Sequence, residues 1–154
     1  AYMSLGSMQT VRTGKPDEAI DNLQKSLSLN KSLAAGEPAN TQYRRMLADN
    51  YKFLGDALTD RDERIRMHRE ALAIREEMLT NDPANPQELT AVASLYQRIG
   101  TILGNKAEGV KSEEGYRETL EHFNKSLLIY NKLRNLEPNN SRHGRNAADI
   151  MAMS

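Results

Sequence analysis

His68, His122 and His143 are the three histidines of a 154-residue chain that has no cysteine. A zinc site built from them would need a pair at helical spacing, and no HExxH or paired-His pattern occurs. Glu121 and His122 are adjacent candidate ligands, but no second histidine lies near them in sequence. Gly104-x4-Gly109-Val110-Lys111-Ser112 approaches the phosphate-binding loop. That loop needs lysine directly after the second glycine, where its ammonium meets the phosphates, and Val110 stands there. It also needs a strand before it, whereas the pattern here is helical. Asp60 and Asp62 open like a calcium loop, but the glycine and the closing glutamate are missing. Asn30, Asn124 and Asn139 each begin an Asn-x-Ser triplet, two of them inside expected helices. The expectation is a chain with no catalytic residue, no cofactor and no metal, and so not an enzyme.

The elements that carry these residues repeat. Tyr51, Leu54, Gly55 and Leu58 recur 45 residues on as Tyr96, Ile99, Gly100 and Leu103. Shifted 49 residues back, they fall on Tyr2, Leu5, Gly6 and Gln9. Ile65, His68, Ala71, Leu72, Ile74, Met78 and Pro83 are matched 45 residues earlier by Ile20, Leu23, Ser26, Leu27, Leu29, Leu33 and Pro38. The same set recurs 55 residues later as Leu120, Phe123, Ser126, Leu127, Ile129, Leu133 and Pro138. Each unit closes on Glu37-Pro38-Ala39-Asn40, Asp82-Pro83-Ala84-Asn85 or Glu137-Pro138-Asn139-Asn140. Self-similarity at this period marks stacked helical hairpins.

The spacing predicts helices over 1–13, 16–35, 40–59, from Asp60, from Asn85, over 116–136 and from Asn140. Pro16 suits a first helical position, with Asp17 and Glu18 at the positive end. Ile20, Leu23, Leu27 and Leu29 form an apolar stripe, as do Met46, Leu47, Tyr51, Leu54 and Leu58. Asn40, Asn85 and Asn140 are expected N-caps, and Asp60-x-x-Glu63 an expected capping box. Gly55 marks a close approach of its partner helix, because a helix-interior glycine costs about 1 kcal/mol without such a reason. His68 takes a core slot. The longest apolar stripe is Tyr116, Leu120, Phe123, Leu127, Tyr130 and Leu133. Residues 105–115, polar and glycine-containing, read as a loop inserted in the third repeat.

Tyr51-x-x-Leu54-Gly55-x-x-Leu58 resembles the first helix of the tetratricopeptide repeat, with tyrosine in its tryptophan slot. Ala19, Leu23 and Ser26, and Phe123 with Ser126, match the second helix. The second helices are longer than the family minimum, as in kinesin light chain and in arrays attached to bacterial serine/threonine kinases. The resemblance implies an all-α fold of about seven helices, a right-handed superhelical stack of antiparallel pairs. It implies one repeat domain over 1–154: partial repeat 1 at 1–38, repeat 2 at 39–83, repeat 3 at 84–138 with the loop 105–115, and the start of repeat 4 at 139–154. Both ends fall inside repeats, so a fragment of a longer chain is expected.

In such arrays the first helices line a concave face. Opposite the buried stripe this places Asp49, Lys52, Phe53 and Asp56, then Ser94, Gln97, Arg98 and Thr101. Met3, Ser4, Ser7 and Asp149 extend the same row. These are the expected partner-binding residues, with Phe53 as an exposed aromatic anchor. The expected function is docking of a partner peptide, helix or domain. The alternative is self-association or spacing within a multidomain bacterial signalling protein such as a kinase, with apolar faces at Tyr2–Leu5 and Ile150–Met151 pairing between copies. Lys+Arg and Asp+Glu number 21 each. A balanced charge argues against a nucleic-acid partner. No apolar run approaches the ~20 residues that span a bilayer. The expected compartment is the cytoplasm.

Overall fold

The structure, a computed structural model, describes residues 16–153. The helix expected over 1–13 lies outside the described residues, and with it Tyr2, Leu5, Gly6, Met3, Ser4 and Ser7. Among the described residues the chain is all-α. Its helices are α1 (Pro16–Gly36), α2 (Thr41–Ala57), α3 (Arg61–Asn81), α4 (Pro86–Val110), α5 (Glu113–Leu136) and α6 (Ser141–Met153). None of them is long and apolar enough to cross a membrane.

The closing tetrapeptides act as two-layer caps. The Asn40 carboxamide oxygen accepts the backbone N–H groups of Gln42 and Tyr43 at 3.1 and 3.3 Å. Asn85 does the same for Gln87 and Glu88 at 3.1 and 3.2 Å, and Asn140 accepts from Arg142 at 3.2 Å. Behind each cap, a carboxylate accepts the asparagine's amide N–H. Glu37 holds Asn40 at 3.0 Å, Asp82 holds Asn85 at 2.9 Å, and Glu137 holds Asn140 at 3.0 Å. That second layer turns the carboxamide so that its oxygen faces the helix. A cap of this kind contributes about 1 kcal/mol. Asp60 accepts from the Glu63 N–H at 2.9 Å and starts α3 in the same way.

The described chain divides after Ile74 into two compact units, and each is described on its own. In the first, Ala19 and Leu23 of α1 and Ala48, Tyr51 and Leu54 of α2 are buried. Gly55 lies under the His68 ring; a Cβ built there would sit 2.9 Å from its Cε1. The expected core slot of His68 is therefore filled as the spacing predicts. In the second unit Leu89 and Ala93 of α4, Phe123, Tyr130 and Leu133 of α5, and Ala147 and Ile150 of α6 form one core. Gly100 receives Phe123 as Gly55 receives His68, with a built Cβ 2.8 Å from Phe123 Cε1. One turn on, Ser126 is fully buried and donates to the Ala93 carbonyl at 2.7 Å.

The loop expected over 105–115 is not one. Helix α4 runs through Gly104 and Gly109 to Val110, and α5 begins at Glu113. Lys111 and Ser112 alone connect them. Lys111 adopts a left-handed conformation, φ 52°, and the Ser112 N–H bonds back to the Ala107 carbonyl at 3.0 Å. These are the features of a helix C-terminus closed by a left-handed residue. Of the two glycines in this segment Gly109 is open and Gly115 is a contact point, as is Gly104 just before it. A Cβ at Gly104 would meet Thr119 Cγ2 at 3.2 Å, and one at Gly115 would meet Ala107 Cβ at 2.8 Å. The extra residues lengthen the hairpin. Other expectations also shift. Leu29, Tyr116 and Leu120 are exposed rather than core. Ile150 is buried against α4 and α5, so the apolar face expected at Ile150–Met151 reduces to Met151.

Candidate protein-binding site

In the first unit, α2 presents Asp49, Lys52, Phe53 and Asp56 at helical spacing. The structure brings three of them into contact. The Lys52 ammonium lies 3.9 Å from the Phe53 ring centroid, and 4.0 Å from the Asp56 carboxylate. The cation sits over the ring's negative face, an arrangement worth about 0.5–1 kcal/mol at partly exposed sites. His68 Nε2 approaches Asp56 from α3 at 3.6 Å, linking this surface to the ring buried over Gly55. Asp49 is half-buried one turn earlier.

Phe53 is not the protruding anchor that the spacing predicts. It is half-buried, and its own neighbour Lys52 covers its face. An incoming apolar group reaches the ring by displacing Lys52. An incoming carboxylate competes instead with Asp56 for the ammonium. The arrangement suits a segment that carries both.

In the second unit, α4 carries Ser94, Gln97, Arg98 and Thr101. Gln97 points its amide at the Met153 sulfur of α6, 3.9 Å away, and its carbonyl accepts from Thr101 Oγ1 at 2.9 Å. Ser94 and Arg98 are half-buried, and Thr101 is exposed. Arg98 turns inward. Its charge acts on the Tyr130 phenol, whose pKa burial raises and whose contacts with Asn146 and Arg98 partly offset. Of the four residues, Gln97 reaches α6, Arg98 turns inward and Thr101 is exposed. Since the two groups belong to different units, each stands as its own candidate surface.

Two clefts of the second unit escaped the sequence reading. Tyr116, Leu120 and Met153, all exposed, border a cleft of 530 Å³ whose floor is Gly100, Gly104 and Phe123. Tyr116 and Leu120 look like core at helical spacing; nothing local reveals that the lengthened hairpin leaves them uncovered. The second cleft, of 490 Å³, has Leu79, Leu89 and Val92 in its wall, with Leu128 exposed on its rim. Tyr96 lies beside it and donates its hydroxyl to the Glu76 carboxylate. The His122 ring meets Tyr96 edge-on at 5.8 Å, and the Lys125 ammonium lies 5.6 Å from its centroid. Burial first, and then the bond to Glu76, push the phenol's pKa well above its ordinary value. That makes Tyr96 a neutral donor and not a base.

Each histidine makes a contact within the fold. His68 packs on Gly55, His122 Nδ1 contacts the Glu118 carbonyl at 2.8 Å, and His143 Nε2 contacts the Glu137 carboxylate at 2.7 Å. Among the described residues no three His, Asp or Glu side chains gather as a metal ion requires. Among the described residues these features define an all-helical chain. Compared with known proteins, the chain matches no family model and none of the curated proteins.

Proposed function

We propose that this chain is a protein-interaction module, a right-handed α-solenoid of the tetratricopeptide kind, which docks a peptide or helix of a partner on its first-helix surfaces. One observation carries the reading. The same internal geometry recurs with different surface residues: a ring over Gly55 and over Gly100, and a carboxylate-backed asparagine cap at Asn40, Asn85 and Asn140. Repeats that keep their internal contacts while varying their outer residues provide extended recognition surfaces. The Lys52–Phe53–Asp56 group supplies the mixed chemistry of such a surface, an aromatic beneath an exchangeable ion pair.

The test compares wild type with a Lys52→Glu/Phe53→Ala double variant. Partners recovered with the wild-type chain are identified, made pure and titrated by calorimetry against both. Loss of a binding hot spot weakens affinity by about 30-fold, the equivalent of ~2 kcal/mol. The variant must keep its helicity and melting temperature. Equal affinity for both proteins refutes docking at this surface. Self-association is the reading favoured instead if wild type recovers only copies of itself, and exposed Met151 and Met153 on α6 are where it would be sought.

A further inference from the structure

Each second helix carries a buried polar residue at one equivalent position: Asn30 on α1, Arg75 on α3, Tyr130 on α5. Thirteen residues later stands the third residue after each capping asparagine: Tyr43, Glu88, His143. Arg75 and Glu88 form an ion pair, Nη1 to Oε2 at 2.7 Å, with side chains 4% and 2% exposed. Tyr130 and His143, also buried, bring their rings to 6.5 Å between centroids. Asn30 donates its amide to the Met46 carbonyl at 3.4 Å, one turn beyond Tyr43. The couple thus occupies the same position at two junctions with different chemistry, while at the first junction Asn30 reaches Met46 instead of Tyr43. One junction uses an amide and a carbonyl, one a guanidinium and a carboxylate, one two rings.

A chain of similar hairpins faces a specific hazard while folding. A second helix can dock on the wrong following helix, because the apolar stripes are interchangeable. A buried ion pair contributes little net stability compared with an apolar pair of the same volume, but separating its members is costly. We propose that these matched couples, Arg75–Glu88 foremost, select which helix follows which. Docking the end of α3 against α6 places Arg75 opposite His143. That exchange buries a full charge without its counter-charge and disfavours the wrong arrangement by roughly a hundredfold in population. The proposal does not depend on what the chain binds.

The test refolds the full chain from denaturant as wild type and as Arg75→Met/Glu88→Leu. Native mass spectrometry counts the oligomeric species, and amide NMR counts conformers. The apolar variant is expected to melt at or above the wild-type temperature, yet to give at least about twofold less of the single native species. One species with the wild-type spectrum and yield overturns the proposal. If the apolar variant does not fold, Glu88→Arg and Arg75→Glu/Glu88→Arg decide. Multiple species from the single variant, with one species restored in the reversed pair, support selection by the couple. One native species from the single variant, or no restoration in the reversed pair, overturns it.

Discussion

Replacing Gly100 by alanine tests the close approach at the centre of the second unit. In an open helix that substitution is favourable by about 1 kcal/mol, because alanine loses less backbone entropy than glycine. Gly144 of α6 is such a site, with nothing within 4 Å of a built Cβ. Gly100 is the opposite case. The new methyl would stand 2.8 Å from Phe123 Cε1 and 2.9 Å from Cδ1. Ordinary carbon contacts lie at about 3.5–4.0 Å, so the ring must retreat by roughly 0.7 Å. Phe123 is 4% exposed and packs in one core with Leu89, Tyr130 and Leu133, so its ring can retreat only toward the cleft it borders. Its helix is also pinned one turn on, where Ser126 donates to the Ala93 carbonyl. Overpacking a core of this kind costs about 1–3 kcal/mol, which outweighs the helix-propensity gain. Gly100→Ala is therefore expected to destabilise by about 1 kcal/mol, and Gly144→Ala to stabilise by about the same amount. Both lie in the second unit, so urea unfolding of each against wild type reads the same core. A gap of ~2 kcal/mol corresponds to about 4–8 °C in melting temperature for a chain of this size. Phe123→Leu should relieve the overlap, so the double variant with Gly100→Ala should lose less than the sum of the two by about 1 kcal/mol. If Gly100→Ala stabilises as much as Gly144→Ala, Phe123 does not pack on Gly100 and the reasoning fails.

Lys111 holds a left-handed conformation that costs a non-glycine residue about 1 kcal/mol, so Lys111→Gly should leave stability unchanged or raise it slightly in urea unfolding. Asn50 is fully buried with no hydrogen-bond partner for its carboxamide among the described residues, and Leu95 and Ile150 stand at its equivalent positions. Asn50→Leu should therefore raise the urea midpoint by the equivalent of about 1–3 kcal/mol; a lowered midpoint would mean that the amide is satisfied. Hydrogen bonds from His143 and Asn140 hold the Glu137 carboxyl below its ordinary pKa. A depressed carboxyl stabilises the fold above its unfolded pKa, and that contribution is lost as pH falls through the lowered folded value. Amide protection in α6, taken relative to intrinsic exchange at each pH, should fall over that acidic window in wild type, and Glu137→Gln should remove that part of the pH dependence.

Much of the fold is legible in the chain itself. Helix starts follow from asparagine and aspartate followed by helical spacing, because a cap is a local arrangement of four residues. Gly55 and His68 are readable as partners because repeat alignment puts histidine where Phe123 stands. Candidate surface residues follow from helical spacing, which specifies a face but not what covers it. Lys52 lies over Phe53, Gln97 reaches Met153 of α6 and Arg98 turns inward near Tyr130 of α5, through contacts that no spacing encodes. The 105–115 segment shows the same limit from the other side. Gly115 looks like a breaker when considered with its own neighbours. Ala107, on the opposite helix, makes it a packing site. The Arg75–Glu88 couple lies 13 residues apart on two helices, so neither charge signals its burial. Among the described residues the sequence by itself determined the helix caps and most of the buried stripes, since these depend on residues within a turn or two. Only the tertiary structure decided which charges pair out of water, which rings are covered and which glycines are contacts, since these depend on what another helix brings to the same place.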